Sequence, residues 1–420
     1  MTTAPADAFV WALGIEDTFI PQVVARTGRI LDEYQLTGHY DHWRADLDRI
    51  RDLGVRHLRW GIPWYRVEPE PGRFEWTWTD EVLPYMVETC GINPIVDLVH
   101  YGAPLWLDGS FLADDYPQRV AAYAAAAAER YASLAVDWTP LNEPRVHAHF
   151  AGRAGIWPPY RRRTTGYAAV LVALAAGMQR TIAAVRSVHP AARVVHVDAM
   201  SSVRAENDEV AEFVADRLEH QFLAADLVEG RVTPEHRMWR WLVAAGVEPR
   251  RLDAFLERPE RMDVMGGNYY PQMNRWRVAG TAARPISRRE RGSGEDLEVT
   301  LRRWHARLGR PVMLTETSVA GSVSKRERWL DESVAAVGRL LADDVPVAGY
   351  TWFPAFSLVA WSYQRGSRPF EAYLAHMGLW DLRDAGNGDL ARTETPLVAR
   401  YRDLIAAGAP GKPAAVSPAA

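Results

Sequence analysis

Apolar and polar positions along the chain alternate between two kinds of segment. Short runs rich in β-branched and aromatic residues recur at Phe9–Leu13, Val55–Ile62, Asn93–Leu98, Val136–Leu141, Arg193–Val197, Asp263–Asn268, Val312–Thr315 and Val347–Trp352. Each is bounded by turn-forming or polar residues and reads as a strand. Longer stretches with helical character separate them: Trp43–Leu53, Glu81–Thr89, Pro117–Tyr131, Gly166–Val188, Asp208–Ala224, Asp296–Leu308 and Lys325–Ala342, with Pro396–Ala406 after the last strand. Pro117 suits a first helical position, where its missing N–H costs nothing. The run Ala121–Ala128 has high helix propensity.

Strand–helix alternation of this kind predicts βα units on a parallel sheet. Eight of them predict an α/β fold of one (β/α)8 TIM barrel over residues 1–406. No sequence repeat and no inter-domain linker interrupts the pattern. Two segments read as irregular. Pro271–Glu295 is rich in Arg, Gly and Ser, and residues 407–420, mostly Ala, Pro and Gly, are expected to be a disordered tail.

Composition narrows the functional classes. The 420 residues are 48% hydrophobic and 24% charged, ordinary for a globular protein with a large core. A net charge of −4 gives no global basic field for nucleic acid. Cys90 is the single cysteine, which excludes an internal disulfide and any multi-cysteine metal site. No uncharged apolar run reaches the ~18 residues of a membrane helix. Met1 to Phe9 lacks the basic and apolar regions of a signal peptide, so the expected location is cytoplasmic, without membrane or nucleic-acid partners. Seventeen tryptophans stand out. They serve either as core filler or, for some, as flat platforms for sugar rings.

In a barrel of this class the chemistry lies where the strands end. The second strand carries Arg59, and the third runs into His100-Tyr101. The fourth ends in Asn142-Glu143-Pro144, the sixth in Asn268-Tyr269-Tyr270, the seventh in Glu316 and the eighth in Trp352. Glu143 and Glu316 end strands four and seven of a closed barrel and therefore face each other across its mouth. Such a pair is either tied into a structural ion pair with a rim arginine or used chemically. Two facing carboxyls suit glycoside hydrolysis, one as proton donor and one as nucleophile.

Leu141-Asn142-Glu143-Pro144 resembles the acid/base motif of clan A glycosidases, and most closely that of glycoside hydrolase family 1, the β-glucosidase family. The resemblance extends over most of the chain. It includes Phe9-Val10-Trp11, the segment His57–Gly72 with Arg59, His100, Gly155-Ile156-Trp157-Pro158-Pro159, Asn268-Tyr269-Tyr270, Leu314-Thr315-Glu316-Thr317 and Gly349-Tyr350. It implies a retaining β-glycosidase acting on a small-molecule glycoside or oligosaccharide, without a cofactor or metal. Glu143 is then the acid and base, and Glu316 the nucleophile, kept ionised by Arg59. Tyr270 orients Glu316, Asn142 contacts the 2-hydroxyl, and His100 binds another ring hydroxyl, unless it is a satisfied core histidine. Asn268, Trp352 and Trp361 complete the expected supporting set.

The sequence also departs from that family. Tyr101 follows His100 where the family has Trp. The chain Gly14-Ile15-Glu16-Asp17-Thr18-Phe19 has no Gln in register with the family's sugar-binding Gln, and Glu16 or Asp17 stands in reach to replace it. Ala360 falls where the strand-eight segment usually carries a glycone-binding Glu. An apolar residue accepts no hydrogen bond, and an unpaired buried hydroxyl costs about 1–3 kcal/mol. Plain glucose is therefore expected to be a poor glycone, with a deoxy sugar or a glycone held by other groups in its place. Two further readings stay open: a sugar-binding barrel without turnover, and transfer of the glycosyl group to an alcohol. Arg161, Arg162, Arg163, Arg284, Arg288, Arg289, Arg291, Arg365 and Arg368 lie in mouth loops. They are either solvated charge or contacts for an acidic or phosphorylated substrate.

Overall fold

All eight expected strands form, and each pairs in parallel with its neighbours because a helical crossover returns the chain to the same end of the sheet. A computed structural model describes residues 9–386 and 388–411. The barrel strands are β1 (Val10–Gly14), β2 (His57–Gly61), β3 (Asn93–Asp97), β4 (Asp137–Thr139), β5 (Arg193–Ala199), β6 (Val264–Asn268), β7 (Val312–Thr317) and β8 (Val347–Trp352). They run in sequence order around the barrel, which closes where Val10 of β1 pairs with Gly349 of β8. The (β/α)8 class expected from the pattern is the observed one. Residues 1–8, read above for a leader, and residues 412–420 of the expected tail lie outside the described residues.

Two cores hold the layers. Ala12, Ile95, Val195, Val197, Val264 and Met313 fill the barrel interior. A much larger cluster lies between strands and helices. The helix His39–Leu53 contributes to it through Trp43, Leu47, Ile50 and Leu53, the spacing of one helical face. Helix Arg163–Val188 is long and apolar enough to pass as a membrane span, but it is mostly buried and packs against helix Tyr116–Arg130. Ten of the seventeen tryptophans, among them Trp60, Trp64, Trp138, Trp304 and Trp329, are buried, so core filling accounts for most of them.

Three expectations need correction. The segment expected to be irregular after β6 forms a hairpin, Arg275–Thr281 with Arg284–Glu290, extended by Ser202–Ala205 into a three-stranded sheet. Its apolar alternation is thin, and Trp276 sits between the guanidinium groups of Arg217 and Arg289 at 4.9 and 5.0 Å. These cation–π contacts add to a small apolar cluster in which Val278 of the hairpin packs with Val203, Val210 and Val214. The expected helix Asp208–Ala224 breaks into Ala211–His220 and Leu223–Val228, and two further helices, Arg237–Ala244 and Pro249–Glu257, precede β6. At the C-terminus the chain stays packed past residue 406: helix Pro396–Ala407 ends at Gly408, whose carbonyl accepts the Trp11 indole N–H at 2.9 Å.

Candidate active site

Because the strands are parallel, their C-terminal ends meet on one rim, and the expected polar residues meet there. Arg59 of β2 is fully buried, so each of its donors needs a partner. Nη1 donates to Glu316 Oε1, Nη2 reaches Asn142 Oδ1 at 2.7 Å and Asp97 Oδ2 at 2.6 Å, and Nε donates to Asp97 Oδ1 at 3.2 Å. Glu316 lies in a register shift of β7 against both of its neighbours, an irregularity of the kind that re-aims a side chain beside a site. Its other oxygen accepts from the Tyr270 hydroxyl at 2.7 Å.

Glu143 occupies the junction between β4 and helix Pro144–Ala148 with φ +44°, a left-handed conformation that a residue with a side chain rarely adopts. Its amide donates to the Val197 carbonyl at 3.0 Å, fixing the turn. Its carboxylate accepts from the Tyr101 hydroxyl and, at 2.9 Å, from Asn268 Nδ2. Thr315 donates to Asn268 Oδ1 at 2.7 Å and so sets which end of that amide faces Glu143. Asn142 Nδ2 donates to the Tyr101 hydroxyl and lies by His100 Nε2, both at 2.8 Å.

The electrostatic surroundings of the two glutamates differ. Burial raises the Glu143 pKa, against the Tyr101 and Asn268 donors that favour the ionised form. Burial raises Glu316 as well, with Glu143 adding to it, but there the Arg59 guanidinium and His100 oppose the rise. The guanidinium that opposes the rise thus lies beside Glu316, while the hydrogen-bond donors to Glu143 are neutral. His100 is buried, which works against its charged form, yet Asp17 and Asp97 outweigh this and raise its pKa well above the ordinary range. Its Nδ1 lies 2.6 Å from Asp17 Oδ1. Gly61 is required here, since a Cβ would lie 2.1 Å from Asp17 Oδ2.

Arg59, His100, Asn142, Glu143, Asn268, Tyr270 and Glu316 thus form one connected network. Trp361 borders it, half-buried against Tyr101 and Trp157. Trp352 does not join: it is fully buried and donates its indole N–H to the Met377 carbonyl at 3.0 Å. The ring against Arg59 and His100 belongs instead to its neighbour Phe353. Asp17, Asp97 and His100 have the ligand types of a metal site, but Arg59 and His100 already supply the positive charge to both carboxylates. The loop arginines are spread over the mouth. Arg365 donates to the Ile156 carbonyl at 3.3 Å, Arg368 lies over Tyr373, and Arg289 covers Trp276.

The match to known proteins bears on the same residues. The model of glycosyl hydrolase family 1 matches residues 13–285, which carry Arg59, His100, Asn142, Glu143, Asn268 and Tyr270. The chain belongs to glycosyl hydrolase family 1.

Among family 1 relatives, β-glucosidase 44 of Arabidopsis thaliana is 30% identical over 129 residues, 29% of this chain and 25% of that protein. β-Glucosidase A of Thermotoga maritima is 31% identical over 130 residues, 30% of this chain and 29% of that protein. The matched segments thus span less than a third of those curated relatives. The solved structure of a family 1 β-glucosidase from Thermotoga maritima superimposes with a TM-score of 0.80 over 96% of this chain and 99% of that one. At 18% identity, that likeness concerns the fold.

Sequence reasoning left several site residues of this family 1 chain without a role. Tyr101 stood only as a departure, although its hydroxyl links Asn142 to Glu143. Asp97, one turn of strand before His100, showed no signal beyond its place at the end of β3. Glu16 and Asp17 were the replacements in reach for the missing Gln: Asp17 pairs with His100, and Glu16 is buried and accepts from the Thr18 hydroxyl.

Proposed function

We propose that this chain is a retaining β-glycosidase that hydrolyses an O-linked β-glycoside by double displacement. The observation that carries the reading is the asymmetry of the two glutamates: Glu316 is held between the Arg59 guanidinium and the Tyr270 hydroxyl, while Glu143 is held by neutral donors. In the first step the Glu316 carboxylate attacks the anomeric carbon, the bond to the aglycone oxygen breaks, and Glu143 gives its proton to that oxygen. In the second step the Glu143 carboxylate takes a proton from water, whose oxygen attacks the same carbon and releases Glu316. Donors aimed at Glu316 suit a leaving carboxylate as well as an attacking one.

The substrate is a small-molecule glycoside, and the glycone is not plain glucose, since Ala360 offers no acceptor. The test is a rate screen on chromogenic aryl β-glycosides with gluco, galacto, fuco, xylo and 6-phospho glycones, run beside Glu316→Ala. Turnover lost in the variant supports the proposal. Silence across the panel would favour the sugar-binding reading, and glycosylated alcohol in place of free sugar would favour glycosyl transfer.

A further inference from the structure

Three mouth segments carry eight arginines and no acid: residues 18–31, 144–163 and 353–370 contain no Asp or Glu apart from those arginines' neutral neighbours. Arg26 and Arg29 lie in the hairpin formed by Phe19–Val24 and Arg29–Asp32, after β1. Arg153 and the run Arg161 to Arg163 follow β4, and Arg365 and Arg368 follow β8. Contacts between the segments bring them together. Arg26 donates to the Arg365 carbonyl, and Thr27 Oγ1 donates to the Gln364 carbonyl at 2.6 Å. Arg29 donates to the Gly366 and Arg368 carbonyls, both at 3.0 Å. Arg365 Nη1 donates to the Ile156 carbonyl at 3.3 Å, and at the preceding Gly155 a Cβ would lie 2.9 Å from the Arg162 side chain. All of the eight but Arg29 are exposed. Among the described residues none of them forms an ion pair, whereas Arg73, Arg119 and Arg130 elsewhere on the surface pair with Glu70, Asp115 and Asp80.

This cationic rim adjoins the side of the site that faces the aglycone. Trp361 opens the short helix that ends at Arg365, and its ring packs against Tyr101 and Trp157 with centroids 5.5 and 5.2 Å apart. Tyr101 donates in turn to Glu143, the group that protonates the aglycone oxygen in the mechanism above. An aglycone leaving the pocket past Glu143 therefore meets this aromatic wall, with the arginines at its outer edge. Tyr160, 51% exposed beside Arg161, adds a flat apolar face there. Gathered like charges without counter-charges focus a positive potential on the mouth. A guanidinium fork matches a carboxylate through two parallel hydrogen bonds, so an anion is the complement that these side chains lack.

We propose that this rim selects a glycoside whose aglycone carries a carboxylate. The inference rests on the glycosidase reading for the side on which the aglycone lies, and its binding readout needs no turnover. The probes are the 4-methylumbelliferyl and 3-carboxyumbelliferyl β-glycosides of each glycone in the screen above. They are compared in wild type, in the double variant Arg162→Gln with Arg365→Gln, and in the double variant Arg162→Lys with Arg365→Lys, each checked for folding by thermal melting. The ratio of kcat/KM for the carboxylated to the neutral probe is expected to fall about fivefold in the Gln variant. Comparing ratios between proteins cancels the difference between the two leaving groups. The Lys variant keeps part of the preference, and raising NaCl from about 20 to about 200 mM weakens it in wild type. Calorimetry with the non-hydrolysable S-linked pair reads the same ratio as affinity. A carboxylate preference that is lost in the Gln variant and weakened by salt supports the inference even where neither O-glycoside is hydrolysed, and in that case the glycosidase reading alone falls. Equal ratios in wild type and the Gln variant, a ratio insensitive to salt, or no binding of either probe would overturn the inference, while turnover of the neutral probe leaves the glycosidase reading standing. If the Gln variant does not fold, Arg161→Gln with Arg368→Gln decides in the same way.

Discussion

Replacing Tyr101 by Phe removes one oxygen from the centre of the network and leaves the ring in place. That hydroxyl donates to Glu143 Oε2 and accepts from Asn142 Nδ2. Tyr101 is 1% exposed, so bulk water does not take its place. A hydrogen bond to a charged group contributes about 1.5–3 kcal/mol, and one pKa unit corresponds to about 1.36 kcal/mol. If the ionised form of Glu143 is the one that receives this bond, its pKa rises by roughly one to two units when the bond is lost. The sign follows from the cause: the Tyr101 donor opposes the upward push of burial, so its loss adds to that push.

Glu143 then keeps its proton to higher pH, and the alkaline limb of kcat/KM moves up by the same roughly one to two units. The assay is a pH–rate profile with an aryl β-glycoside whose leaving group needs protonation. A dinitrophenyl glycoside, which does not need it, serves as control. The ring contacts of residue 101 with His147, Trp157 and Trp361 persist in the variant, so thermal melting should change little. An alkaline limb that stays in place or moves down would refute the role assigned to Tyr101 and to Glu143 as its target.

Other consequences follow from the same geometry. Glu316→Ala abolishes turnover of any substrate that the wild type hydrolyses while leaving its binding measurable by calorimetry, and full activity in that variant contradicts its role as nucleophile. Arg59→Met strips the cation from two buried carboxylates, Glu316 and Asp97, and costs about 3–5 kcal/mol in urea unfolding at neutral pH. Since Arg59 lowers the Glu316 pKa, its loss also moves the acid limb of the rate profile upward. Asp46 is buried, with Arg392 donating at 2.8 and 3.0 Å and His39 at 2.9 Å, and these partners depress its pKa in spite of burial. A depressed carboxylate stabilises the fold above its ordinary pKa and loses that contribution as pH falls through the lowered value. Asp46→Asn is therefore destabilised at neutral pH, by about 3 kcal/mol, and the difference from wild type shrinks in unfolding experiments near pH 3. A difference that is constant with pH would contradict the ion pair.

Much of this was readable in the chain because barrels write their strands as short apolar runs and place chemistry where the runs stop. The eight strands, Glu143 and Glu316 came from that rule alone. What escaped depends on distance in space. Glu33 is marked by nothing around it in sequence, and only the contact with the Val359 amide reveals its place beside Ala360. Tyr101 was visible as an odd residue after His100, but the purpose of its hydroxyl needs the position of Glu143. The hairpin after β6 was missed because Val278 is the one buried position of its two strands, and it packs on Val203, Val210 and Val214 from segments distant in sequence. Trp352 was assigned by position at a strand end, whereas side chains alternate between faces and its own points into the protein.

The measurement closest to the central claim is the configuration of the first sugar released, read by proton NMR during hydrolysis of a β-glycoside before mutarotation. Attack by Glu316 followed by attack of water inverts the anomeric centre twice, so the β-anomer should appear first. If the α-anomer appears first, water attacks directly, and Glu316 is not the nucleophile.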